Sequence, residues 1–209
     1  MGEQLAEETP ARRTRAPGER SRARILEQAA RLATIEGLAG LSVGGLAEAT
    51  GMAKSSVYAL FGSKEELQLA TIDAARGSFI AEVISPALRS AQPGCERLLA
   101  FCEGFLSYVE RRVFPGGCFF VGVSAELGAR PGRVHDRVAR VQQEWRDLLE
   151  TEARLAAGNG QLPAGSDPAQ LAFELGTMLA GTNIVAVLHD DDGAVARART
   201  AIRNRLAGC

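Results

Sequence analysis

The sequence predicts an all-α protein with about nine helices. Apolar residues recur at helical spacing along most of the 209 residues, and no stretch keeps the alternation of polar and apolar residues that is typical of a strand. Segments rich in Gly and Pro separate the helical stretches. Apolar residues make up 46% of the chain and charged residues 23%, as in ordinary globular proteins.

Four helices are predicted in the first part of the chain. Residues 1–18 lack periodicity and are predicted to form a disordered arm. Gly37 ends the first helix, and Ser42 is a favoured N-cap for the second. Ser63 and Glu66 form a capping box at the start of a long fourth helix. The expected ranges are 19–36, 43–49, 54–60 and 64 to about 86.

Five more helices are predicted in the second part. Phe114-Pro-Gly-Gly and Gly158-Asn-Gly are turn sequences, and Asp167-Pro168 is a typical helix start. The expected ranges are 94–112, 118–129, 133–157, 168–189 and 192–206.

Residues 42–67 have the spacing of a helix-turn-helix. Ala47 is small enough for two helices to cross closely, and Gly51 can adopt φ > 0 at the end of the first helix. Val57 fills the angle between the helices. Such a unit places its second helix in the major groove, so the sequence predicts double-stranded DNA as a partner.

The charge distribution agrees with a DNA-facing end. The whole chain has a formal net charge of −1, which by itself does not indicate a polyanionic partner. Between residues 11 and 64, however, nine Lys and Arg residues stand against four Glu, a local excess of +5. A basic end on a near-neutral protein is the pattern of a DNA-binding domain.

A larger set of positions within residues 21–67 forms one recognisable pattern. Its members are Ile25, Ala29, Leu32, Gly37, Leu46-Ala47, Gly51, Lys54, Val57-Tyr58, Phe61 and Ser63-Lys64-Glu65-Glu66-Leu67. This pattern resembles the TetR family of bacterial transcriptional regulators. The resemblance implies a DNA-binding domain over residues 19–66 and a helical ligand-binding and dimerisation domain over 67–209.

Polar side chains on and beside the recognition helix are the predicted DNA contacts. Hydroxyls and amines at the start of that helix reach base edges and phosphates. Gly44-Gly45 occupies positions where the family usually carries a polar or basic side chain, so the preceding helix is expected to offer few contacts. The predicted DNA-binding residues are Ser42, Lys54, Ser55, Ser56, Tyr58 and Lys64.

The resemblance also implies a cavity for a small hydrophobic or amphipathic effector in the second domain. Aromatic side chains with a few polar groups are the expected lining. The candidates are Phe101, Phe105, Tyr108, Phe119, Gln142, Trp145 and Asn183.

A homodimer interface is expected on the last two helices. Ala172, Gly176 and Ala180 form a stripe of small residues, and the last helix has one apolar face. In the resembled family, two such helices from each subunit form a four-helix interface; packing within one chain is the alternative. The predicted interface residues are Ala172, Gly176, Ala180, Val195, Ile202 and Leu206.

Enzymatic, metal and membrane functions are not predicted. With only His135 and His189, no catalytic His arrangement is credible, and no Gly-rich phosphate loop occurs, so no cofactor is expected. The acidic residues 190–192 are expected to cap a helix rather than bind a metal. No secretory signal is found, and the apolar stretch 171–188 is short for a membrane span, so a cytoplasmic protein is expected.

The sequence therefore predicts a homodimeric repressor that an effector releases from a palindromic operator. One alternative is a redox-responsive regulator that uses Cys95, Cys102 or Cys118. Another is an activator that responds to no effector. Oxidant-sensitive release would indicate the first alternative, and the absence of ligand-induced release would indicate the second.

Overall fold

A computed structural model describes residues 17–208, and within this range helices are the only regular secondary structure. The α-helices are α1 (Pro17–Glu36), α2 (Val43–Thr50), α3 (Lys54–Phe61), α4 (Lys64–Phe79), α5 (Ser85–Ser90), α6 (Cys95–Glu110), α7 (Phe119–Leu127), α8 (Arg133–Gly158), α9 (Pro168–Leu188) and α10 (Gly193–Arg205). A π-helical segment, Ile80–Ile84, joins α4 to α5 without a break. The described residues thus form nine continuous helical segments, which confirms the predicted fold class.

Side-chain caps define the helix starts at the predicted places. Ser42 Oγ accepts a hydrogen bond from Gly45 N at 3.0 Å, and Ser63 Oγ accepts one from Glu66 N at 3.1 Å. Gly51 closes α2 in the left-handed conformation, at φ 67°. Pro17 already belongs to α1, inside the segment predicted as an arm. The remainder of that segment, residues 1–16, lies outside the described residues.

The long helix continues beyond its predicted end near Pro86. Proline lacks an N–H and its ring crowds the carbonyl four residues earlier, so the regular bonding pattern fails just before it. Just before Pro86 the helix forms a π-helical turn, in which Ser85 N donates a hydrogen bond to Ile80 O, five residues earlier. Gly104 of α6 packs closely here, since a Cβ at that position would lie 3.3 Å from Val83 O.

Helix α4 connects the first three helices to the rest of the protein. Ile25 of α1, Leu46 of α2 and Val57 of α3 are fully buried in the N-terminal part of the core. Helix α1 packs along α4, and α4 packs in turn against α8. Because the buried residues of both parts form one continuous cluster, a displacement of α4 involves both.

Helix α9 is the one described helix that is long and apolar enough to cross a membrane by length and composition. One of its faces packs within the protein, because Leu171, Leu175 and Leu179 are almost fully buried. Its neighbours there are α8 and α10. About 33% of its apolar window is buried among the described residues.

The loop between α6 and α7 lies directly on the end of α1. Gly116 N donates to Thr34 Oγ1 at 3.1 Å, and Arg31 donates to Val113 O at 3.3 Å. A Cβ on Gly116 would lie 1.8 Å from the carbonyl oxygen of Thr34. Only glycine allows the two backbones to come this close.

We expect Gly116→Ala to lower the free energy of unfolding by about 1–3 kcal/mol, because its methyl group would overlap the α1 backbone. Gly122→Ala is the matched control. Gly122 lies inside α7 with no atom near its missing Cβ, so alanine should raise stability by about 0.5–1 kcal/mol. Urea denaturation of both variants measures the difference, and equal stabilities would contradict the close approach.

Candidate nucleic-acid interface and ligand cavity

Helix α3 presents a polar, solvent-exposed side. Lys54, Ser55 and Ser56 are exposed in its first turn, and the Tyr58 side chain is 61% exposed one turn further. Val57 and Phe61 point inward and are buried. The local reason is the helical period, which turns positions 54, 55 and 58 away from the side that carries 57 and 61.

The side chain of Lys54 lies beside Gly44 of α2. A Cβ on Gly44 would lie 3.6 Å from Lys54 Nζ, in ordinary contact. The ammonium group thus lies over the start of α2, beside Ser42, which is exposed and caps that helix. Lysine, hydroxyl and helix N-terminus together form a site suited to an anion.

Lys64 is held differently from the other predicted DNA contacts. Its ammonium group donates to Ala39 O at 2.5 Å, so in the free protein it fastens the loop between α1 and α2. This loop contact could not be predicted from the sequence, because 25 residues separate the two partners.

A cavity of about 480 Å³ lies between α4, α6, α7, α8 and α9. Its volume is in the range of small-molecule sites. Aromatic rings form much of its wall: Phe79, Phe105, Phe120 and Trp145. The wall also includes the π-helical segment, through Ile80 and Ile84.

Three of the seven predicted ligand residues line this cavity, namely Phe105, Gln142 and Trp145. The other four do not. Tyr108 and Phe119 are fully buried in the core, as is Phe101. Asn183 accepts a hydrogen bond from Cys118 N at 2.7 Å in a buried place, so its amide is engaged in the fold.

Sequence reasoning missed the contribution of α4 to the cavity. Phe79 and Arg76 lie beyond the predicted DNA-binding domain, and nothing in their spacing separates wall residues from core residues. Arg76 pairs with Glu144 of α8 at 2.7 Å, and both also line the cavity. Each side chain is more than one third exposed, so this pair lies at the solvent side of the wall.

The predicted interface residues on α10 are already buried within one chain. Val195 is 3% exposed, Ile202 1% and Leu206 5%, and Ala172 of α9 is buried as well. These four residues therefore cannot offer surface to a partner, and packing within the chain accounts for them. Gly176 and Ala180 are partly buried and line the cavity instead.

Helix α9 nevertheless carries an exposed apolar face. Its members are Phe173, Ile184, Val185 and Leu188, with exposures of 64%, 50%, 38% and 73%. Apolar residues occupy both sides of α9, so the helical periodicity of the sequence does not distinguish the buried side from the exposed one.

The buried thiols have low reactivity. Burial raises the pKa of the Cys102 thiol to about 12 and that of the Cys118 thiol to about 11. Both groups are therefore protonated at neutral pH, whereas oxidation and alkylation require the thiolate. Neither residue has the exposure or the low pKa of a redox sensor.

Two family models match the chain. Residues 94–202 match the tetracyclin repressor-like C-terminal domain, and residues 25–71 match the bacterial regulatory proteins of the tetR family. A comparison with curated protein sequences gives no match.

Solved structures of regulators share the fold. A TetR transcriptional regulator from Chloroflexus aurantiacus superposes with a TM-score of 0.83 and 27% identity, covering 91% of this chain and 96% of that one. A TetR-family regulator from Cytophaga hutchinsonii gives 0.80 and 21%, covering 94% and 98%. AibR, solved with isovaleryl coenzyme A and operator DNA, gives 0.68 and 24%, covering 88% and 97%.

We expect Cys102 and Cys118 in the native protein to react with iodoacetamide at pH 8 about a hundredfold or more slower than in the unfolded chain, because burial keeps them protonated. Peptide mass spectrometry measures labelling at each cysteine separately, and the urea-unfolded protein is the control. Rapid labelling of either native thiol would restore the redox alternative.

Proposed function

This chain belongs to the TetR family of bacterial transcriptional regulators, and we propose that it is a homodimeric repressor that a small effector releases from a palindromic operator. As a member of that family it is a DNA-binding regulator and not an enzyme. The observation that carries the repressor proposal is that one helix, α4, contacts both the DNA-binding part and the cavity. Helix α4 begins three residues after α3 ends, and residues at its C-terminal end line the cavity. We expect the protein to act in the cytoplasm, where its DNA target is.

The polar side of α3 is the proposed DNA-reading surface. All five of its residues are exposed, and we assign Ser55 and Ser56 to base edges and Lys54, Tyr58 and Ser42 to phosphates. The contact between Lys54 and Gly44 supports this assignment, since the ammonium group and the N-terminus of α2 would share one phosphate. Lys64 is assigned mainly to the loop that it holds, and its charge adds to the attraction of DNA.

The apolar face of α9 is the proposed dimer interface. Four large apolar side chains are exposed on this one helix, and exposed apolar patches mark association surfaces. A two-fold axis there repeats the same face on both subunits. The two copies of α3 would then lie at a fixed separation, as two half-sites one DNA turn apart require.

The proposed effector is a small, largely apolar molecule. The wall is mostly aromatic and aliphatic, and among the described residues no buried side-chain polar atom lacks a hydrogen-bond partner. An occupant with hydrogen-bonding groups along the apolar part of the wall would leave them unpaired, whereas a polar group beside Arg76, Gln142 or Glu144 would find a partner. The effector acts by binding the DNA-free arrangement of the dimer more tightly than the DNA-bound one.

The structure favours this reading over the two alternatives. Of the three cysteines in the redox alternative, Cys102 and Cys118 are buried and protonated, and Cys95 is held in a disulfide instead of being a free thiol. An effector-independent activator does not require a ligand cavity, whereas this chain has one of about 480 Å³ that is lined in part by α4, the helix that follows α3.

Selection of duplexes from a random DNA pool tests the proposal directly. We expect the chain to enrich a palindrome whose half-sites lie about one helical turn apart. A panel of apolar molecules screened by thermal shift should then contain ligands that lower the affinity for that palindrome. If no sequence is enriched, the proposal of a specific operator is wrong. If ligands stabilise the protein but do not release DNA, the proposal that an effector releases the operator is wrong.

We expect Lys54→Ala to weaken binding to all duplexes about equally and to reduce the slope of log K against log salt by about one, because it removes one phosphate contact. Lys64→Ala should reduce the slope by less than half as much, since that side chain is bonded to Ala39 O. Gel shifts at several salt concentrations measure both. Equal slopes for Lys54→Ala and the wild type would remove Lys54 from the interface.

We expect Ile184→Asp to convert the dimer into monomers and abolish binding to the full operator, because it buries two carboxylates at the two-fold axis. Ile35→Asp is the matched control for oligomeric state. Ile35 is 64% exposed on α1, outside the proposed interface. Light scattering distinguishes the two variants, and a dimeric Ile184→Asp protein would place the interface elsewhere.

A further inference from the structure

The loop between α1 and α2 is held by side chains from both parts of the protein. Glu126 of α7 accepts hydrogen bonds from Leu38 N at 2.6 Å and Ala39 N at 2.7 Å. Gln68 donates to Leu38 O at 3.0 Å, and Lys64 donates to Ala39 O. All four backbone polar groups of Leu38 and Ala39 therefore have side-chain partners.

Among the described residues, Glu126 supplies the one carboxylate that is hydrogen-bonded to the backbone of Leu38 and Ala39. Each oxygen accepts from one of two consecutive amides, and hydrogen bonds to a charged acceptor are about twice as strong as neutral ones. Gly37 makes the approach feasible, since it has φ +81° and a Cβ there would lie 2.9 Å from Glu126 Oε2. Within residues 17–208, Glu126 forms no salt bridge that would compete with the two amides.

The helix that carries Glu126 is attached to three other elements. At its start, Cys118 N donates to Asn183 of α9. In its middle, the Gln142 amide of α8 donates to Phe120 O at 3.3 Å and to Ser124 Oγ at 3.0 Å. Cys118, Phe120 and Val121 form part of the cavity wall. One helix of nine residues thus touches the proposed dimer helix, the cavity and the loop before α2.

We propose that Glu126 is the positioning residue through which α7 sets the place of the helix-turn-helix, so that occupancy of the cavity is transmitted to Leu38 and Ala39. This inference rests on the proposed function and names the device that would regulate it. An occupant that displaces α7 withdraws the carboxylate from two amides. A shift of about 1 Å suffices, because hydrogen bonds weaken steeply beyond their normal length.

The consequence for DNA binding follows from the position of the loop. Three residues after Ala39, Ser42 caps α2 and lies on the proposed DNA-reading surface. Once the bonds to Glu126 are broken, the carbonyl groups of Leu38 and Ala39 keep their hydrogen bonds to Gln68 and Lys64 of α4. Helix α2 then keeps its packing against α1 and α3 but loses this hydrogen-bonded connection to α7. The separation of the two recognition helices in a dimer is then no longer controlled by the position of α7.

The test compares Glu126→Gln with Glu36→Gln. Glu36 is exposed at the end of α1, next to the same loop, and both variants remove one negative charge. That change alone should leave DNA affinity level or raise it. We expect Glu126→Gln to weaken binding of the selected palindrome about tenfold or more, as the loss of a charge-assisted hydrogen bond implies. Equal affinities of the two variants would overturn the proposal.

A second variant separates transmission from a local structural role. Gln142→Leu leaves the loop untouched and removes the two hydrogen bonds that the Gln142 side chain donates to α7. Because Gln142 also lines the cavity, the variant is measured without any effector. We expect it to lower hydrogen-exchange protection of the Leu38 and Ala39 amides, measured by NMR, and to weaken operator binding. When Gln142→Leu is added to Glu126→Gln, operator affinity should change by less than about twofold, because the hydrogen bonds between α7 and the loop are already lost. Additive effects, or unchanged protection at both amides, would refute the transmission.

Hydrogen exchange also keeps this inference distinct from the proposed function. Protection of the two amides in the wild type and its loss in both variants require no DNA and no effector. If the chain selects no duplex, the proposed function fails while the exchange data still report whether α7 controls the loop. Thermal unfolding of each variant confirms that the fold remains intact.

Discussion

The ring of Phe79 is the contact on which the arrangement of the two parts depends. It lies at the end of α4 and meets Phe105, Tyr108, Phe120 and Trp145 at centroid distances between 5.2 and 6.4 Å, each edge to face. Such pairs contribute about 0.5–1.5 kcal/mol each beyond the burial of their area. The helix that follows the recognition helix is thereby attached to α6, α7 and α8 at one point, and three of those four partners are cavity walls.

Ion pairs between α4 and α8 fix the position of one helix along the other, in addition to the apolar contacts of Phe79. Arg133 and Arg137 of α8 pair with Glu66 and Asp73 of α4, and Arg76 of α4 pairs with Glu144 of α8. All of these groups are partly exposed, so the pairs contribute little stability. They do set the register of α4 along α8, because a displaced helix would separate opposite charges.

Buried polar groups show where the structure tolerates no displacement. Glu152 is 5% exposed and accepts from Gly94 N, and Asn183 is 4% exposed and accepts from Cys118 N. Leaving such a group unpaired costs about 1–3 kcal/mol, so these bonds hold the effector domain rigid around its cavity. By contrast, the bonds of Glu126 to the loop before α2 lie near the surface and break at lower cost.

The sequence by itself determined the helices and the polar, exposed side of α3, because both depend on local interactions. Caps such as Ser42 and Ser63, and the exposure of Lys54 and Tyr58 opposite Val57, follow from neighbours within four residues. Tertiary structure alone decided which aromatic rings line the cavity, which side of α9 is exposed, and that Asn183 serves α7 rather than a ligand. These outcomes depend on partners 65 or more residues apart, such as Asn183 with Cys118 or Glu126 with Ala39, and helical periodicity carries no information on which helix meets which.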